Sequence, residues 1–134
     1  STTAANSDSP CLTLNSDVSA SAYDYLAVAE NSGGTSFNST VGTTRIKHAG
    51  LNAAGAPGSM PSPFEYEFFG ISSSQRKGML FRMGFQDGLA ANNRYMMHGY
   101  SDWRNAASVT SIQLGLDSGL IGASSTLHIF LAAS

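Results

Sequence analysis

Charge is what this chain has least of. Asp, Glu, Lys and Arg make up 12% of its 134 residues, about half the usual share. No basic run is longer than Arg76-Lys77, and the formal net charge is −2. The positive stripe that neutralises phosphates is missing, which excludes a nucleic-acid partner. The single cysteine, Cys11, excludes an intramolecular disulfide and a cysteine-based zinc site, and reads as a small buried apolar side chain. No apolar run is long enough to span a bilayer and no secretory leader is recognisable, so no membrane partner is expected. Ser1 is what a trimmed initiator methionine would leave, and cytoplasmic synthesis is the simplest expectation. Convincing amphipathic helices and internal repeats are lacking as well.

What fills the space is Ser, Thr, Asn and Gly, between short runs of β-formers. Residues 1–9, STTAANSDS, are small and polar and read as a flexible arm. From residue 10 to 134 the chain reads as one domain of strand-like runs. These are Cys11–Leu14, Ala22–Glu30, Val41–Ala49, Phe64–Ile71, Lys77–Phe85, Asn93–Ser101, Ser108–Leu116 and Ser125–Ala132. Asn31–Gly34 reads as a turn, and 50–63 as a loop. Phe64, Tyr66 and Phe68 alternate with Glu65 and Glu67, and Met79, Phe81, Met83 and Phe85 form a second inward set. About eight short strands with Gly, Pro and Asn turns predict an all-β fold, a jelly-roll-like β-sandwich of antiparallel strands.

Catalytic signatures are weak. His48, His98 and His128 share no ligand spacing, and no metal or other cofactor is expected. The many serines include no nucleophile elbow, and Ser72-Ser73-Ser74 reads as a loop. Glu65 and Glu67 lie on one strand face, about 7 Å apart at β rise, whereas glycosidase acids come from different strands lining a cleft. A non-enzyme is the reading. Among the aromatics, Trp103 reads as a plug at the end of the sandwich; the alternative makes Tyr100 and Trp103, flanking Asp102, a candidate sugar-stacking platform.

The stretch Trp103–Leu114, WRNAASVTSIQL, followed by Gly122–Leu131, GASSTLHIFL, resembles the C-terminal hairpin of a group of tailed-bacteriophage virion proteins. Tyr23–Val28, Gly42–Gly50 and Ser72–Leu80 look like the matching earlier strands, so the resemblance covers roughly 20–132. It departs at Ile129-Phe130-Leu131, where the pattern has Leu-Tyr-Gly. The resemblance implies a structural virion protein made in a bacterial host. Its expected role is that of a capsid decoration (cement) protein on the assembled head, with the major capsid protein and further copies of itself, as a homotrimer, for partners. The alternative is a receptor- or carbohydrate-binding fibre module, with glycan held by Tyr100, Asp102 and Trp103. No catalytic residues carry over.

On this reading the apolar terminal strand packs Leu127, Ile129 and Leu131 into the core. His128 and Phe130 turn to a neighbouring subunit or the capsid, and the arm with Ser1, Thr2 and Thr3 orders on the capsid surface.

Overall fold

The computed structural model describes residues 7–8, 10–31, 33–47, 51–52, 63–86, 94–116 and 126–130. All regular structure among them is β: β1 (Ser7–Asp8), β2 (Pro10–Leu14), β3 (Tyr23–Asn31), β4 (Gly34–Thr43), β5 (Ile46–Lys47), β6 (Leu51–Asn52), β7 (Phe64–Phe69), β8 (Lys77–Gln86), β9 (Arg94–Trp103) and β10 (Ile112–Leu116). Every pairing is antiparallel. A five-stranded sheet runs β4-β3-β9-β8-β7, a three-stranded sheet runs β10-β2-β5, and β1 pairs with β6. The two main sheets form a β-sandwich of eight strands. The pairing is nested, with β2 against β10 and β3 against β9, while β7-β8-β9 is a meander.

The core lies where the sheets face each other. Leu12 and Leu14 of β2 and Ile46 of β5 meet Tyr23, Met79 and Trp103 from β3, β8 and β9, all at most 1% exposed. Farther along the large sheet, Ala27, Phe81, Met83 and Met97 make a second cluster, flanked by Tyr25, Phe64 and Tyr66. Tyr66 stands edge-on to Phe64, with ring centroids 6.0 Å apart. Period-2 alternation produces this: the inward sets expected at 64, 66, 68 and at 79, 81, 83 are the ones packed inside.

Two polar devices close the core at the row Tyr23-Trp103-Lys77. Tyr23 Oη accepts from Leu14 N at 2.8 Å and donates to Asp17 O at 3.0 Å, and burial pushes its hydroxyl up to about 12. Lys77 is fully buried, its Nζ donating to Ser73 O at 2.8 Å, to Ala106 O at 3.4 Å and to Gln75 O.

The structure departs from the sequence reading in several places. The terminal strand does not form: residues 126–130 have no sheet assignment, and Leu127 and Ile129 are 62% and 75% exposed instead of inward. An apolar run becomes a strand only where a neighbour takes up its backbone groups, and 126–130 lack such a ladder. Leu131 lies outside the described residues. Within the expected arm Ser7 and Asp8 pair with Asn52 and Leu51; Ser1, Thr2 and Thr3 lie outside the described residues. The polar stretch after the Asn31–Gly34 turn is strand β4, because a hairpin ladder to β3 compensates for its weak hydrophobic pattern. The run expected over Val41–Ala49 breaks at Thr44 and Arg45, leaving β5 as two residues. The last described ladder begins at Ile112 rather than Ser108, because Asn15 captures the approach. Its Oδ1 accepts from Thr110 N at 2.7 Å and Ser111 N at 3.0 Å.

Candidate docking surface

The alternation that fills the core sends the other half of each strand outward, and on the large sheet that half is not polar. Leu26, Tyr100 and Leu80 stand in one cross-strand row, Leu26 opposite Tyr100 and Tyr100 opposite Leu80. They are 56%, 48% and 46% exposed. The next row runs Phe37, Val28, His98, Arg82, Glu65, with Phe37 exposed on edge strand β4. Val41 and Phe69 occupy the two ends of a third row, and Met96 stands in a fourth beside Glu30. Scattered exposed apolar side chains are ordinary, but a contiguous set on one sheet face marks an interaction surface.

Gly78 shapes the centre of this face. A Cβ there would lie 2.9 Å from Tyr100 Oη and 3.2 Å from its Cε2, so the glycine lets the ring lie across β8.

Three arginine–carboxylate pairs lie on or beside this face. Arg82 Nε donates to Glu65 Oε2 at 2.5 Å, both side chains well exposed. Arg76 reaches Asp102 at 3.1 Å. Arg104 grips Asp24 with Nε at 2.8 Å and Nη2 at 2.7 Å, and Gly42 N donates to the same carboxylate at 2.8 Å. Asp24 is held below the ordinary carboxylate range, chiefly by the Arg104 hydrogen bond. Asp102, opposite Asp24 in the ladder, is pushed up, first by burial and then by the Asp24 charge. These three guanidinium groups each neutralise a neighbouring carboxylate, which lowers the field over the apolar area.

The remaining candidates divide. Tyr100 and Asp102 lie on this outer face, but Trp103 is 1% exposed and packs in the core on the opposite side of β9. The three therefore make no joint platform. Glu65 and Glu67 share the outer face of β7, exposed as expected. His98 is on the outer face of β9; His48 lies outside the described residues. His128 and Phe130 stack with centroids 6.4 Å apart and planes 12° apart, exposed and outside any strand. Among the described residues no three His, Cys, Asp or Glu are grouped to hold a metal ion. A shallow depression of about 490 Å³, lined by 15–19, Trp103 and Asn105, lies at one end; Asp17 occupies it, already bound to Trp103 and Ser19.

Reading the strands by their inward sets overlooked Leu26, Leu80, Met96 and Phe37. A signal was present: AYDYLAVAE, KGMLFRMGF and NRYMMHGYS carry apolar residues on both parities, where a half-wet sheet would carry polar ones.

No family model, curated protein or solved structure matches the chain. The outer face itself is thus the ground for a functional reading.

Proposed function

We propose that this protein is a structural docking module that covers an assembled protein shell, a capsid decoration protein of a tailed-phage virion. The observation that carries the reading is the row Leu26-Tyr100-Leu80 on the outer face of the large sheet, nearly half or more exposed, with three ion pairs beside it. Depletion of unmatched charge around an apolar centre with an aromatic is the composition of interface cores. A rigid sheet presents such a patch with little ordering cost on binding. A module that binds the assembled shell and not its separate subunits stabilises the shell by mass action. The resemblance of 103–131 to virion proteins supplies the shell; the sheet supplies the means of holding it.

Cosedimentation of the protein with intact phage heads tests this. Wild type is expected to pellet with heads and to raise their melting temperature. Leu26→Glu with Leu80→Glu is expected to remain soluble while keeping its own fold by circular dichroism. Binding by the double variant equal to wild type removes this face from the proposal. The glycan reading now rests on Tyr100 and Asp102 alone, and binding competed by free sugar but not by heads would favour it instead.

A further inference from the structure

We infer that β4 is a homodimer edge: two copies join antiparallel through residues 37–41, centred on Ser39, so that their five-stranded sheets become one. The inference is independent of what the outer face binds.

Strand β4 is ten residues long, ends the sheet and has no neighbour on its open side among the described residues. Edge strands usually protect themselves with charges, proline, short length or a bulge. From Gly34 to Thr43 there is no charged residue and no proline. The sole device is the bulge at Gly42, whose φ of 75° accompanies the register shift from Thr43–Tyr23 to Val41–Asp24. It lies at the far end and leaves 35–41 straight. Residues 34–39 are exposed, so nothing blocks an incoming strand from either face.

The register follows from the hairpin. Asn31 and Gly34 close it, and a turn of this length bonds the closing pair. Hydrogen-bonded and non-bonded pairs then alternate along the ladder. Ser36, Asn38 and Thr40 bond inward to β3, while Thr35, Phe37, Ser39 and Val41 turn their N–H and C=O to the open edge. A two-fold axis through Ser39 places Ser39 opposite its copy, Phe37 opposite Val41 of the other chain, and Val41 opposite Phe37. All three are bonded pairs. The same register covers the two most exposed apolar side chains of the strand, at 77% and 74%, with an aromatic against a β-branched residue, a favourable cross-strand pair. The patch is self-complementary, as a two-fold interface requires. It argues for two copies where the sequence led to an expectation of three.

Sedimentation velocity on the full chain tests this. Wild type is expected to be a dimer. Ser39→Lys, which sets two ammonium groups opposite each other, is expected to weaken association at least about tenfold with an unchanged circular dichroism spectrum. Ser39→Cys is expected to form a disulfide dimer under mild oxidation, since a bonded antiparallel pair holds Cα atoms about 5.5 Å apart. Thr35→Cys, about 27 Å from its copy in this register, should stay uncrosslinked. A monomeric wild type, a dimer untouched by Ser39→Lys, or one dissolved instead by Phe130→Lys in the exposed 126–130 segment would overturn the inference.

Discussion

The indole Nε1–H of Trp103 donates to Asp17 Oδ2 at 2.7 Å, tying the last residue of β9 to the turn that leaves β2. The same carboxylate accepts from Ser19 N at 3.0 Å. Hydrogen bonds from Ser19, then Trp103 and Asn105, pull Asp17 down from 3.8 to about 2. A carboxyl with a depressed folded pKa stabilises the fold above its unfolded value and loses that contribution as pH falls through the folded one. Thermal melts should therefore show a loss of stability between about pH 4 and pH 2. Asp17→Asn should flatten that slope and cost about 1 kcal/mol at neutral pH, discounted for partial exposure. An unchanged acid slope in the variant would contradict this role.

Gly78 and Gly99 lie in adjacent strands with opposite fates. A Cβ at Gly78 meets the free end of Tyr100, which can swing away, whereas one at Gly99 would lie 2.2 Å from Leu26 O and 2.8 Å from Ala27 Cα. Gly99→Ala should destabilise by about 3 kcal/mol or more, since backbone has to move. Gly78→Ala should cost about 1 kcal/mol or less while displacing Tyr100 and weakening docking. Urea unfolding of the two variants side by side checks the contrast.

Lys77 caps three carbonyls from a fully buried position. Lys77→Met keeps the stem but strands those carbonyls, and should cost about 2 kcal/mol. Lys77→Ala adds a cavity and should cost about 4 kcal/mol. Equal losses in chemical denaturation would mean that only the ammonium, and not the stem, contributes.

Ser101 is 1% exposed, and its hydroxyl has no hydrogen-bond partner among the described residues. Removing a buried hydroxyl that lacks a partner relieves its desolvation. Ser101→Ala is therefore expected to stabilise by about 1 kcal/mol. Destabilisation in the same measurement would show the hydroxyl to be satisfied.

Legibility in the sequence followed burial. Phe64, Tyr66 and Phe68 against Glu65 and Glu67 could be read because one face is dry and the other wet. Strand β4 could not, because GTSFNSTVGT buries little and exists through its ladder to β3. Residues 126–130 misled in the opposite sense: β-formers without a ladder carry propensity and no strand. The docking face was hidden for a third reason. Apolar residues at both parities of β3, β8 and β9 look like noise on alternation until two-dimensional pairing lines up Leu26, Tyr100 and Leu80.

The nesting of β10 on β2 has a kinetic consequence. Thr13 and Gln113, hydrogen-bonded across that ladder, are 100 positions apart in the chain, so β2 gains this neighbour only when a segment distant in sequence arrives. Until then Leu12 and Leu14 have only partial cover, and closing so long a loop is slow. Refolding from denaturant is therefore expected to be limited by the docking of β10, the late step that covers Leu12 and Leu14.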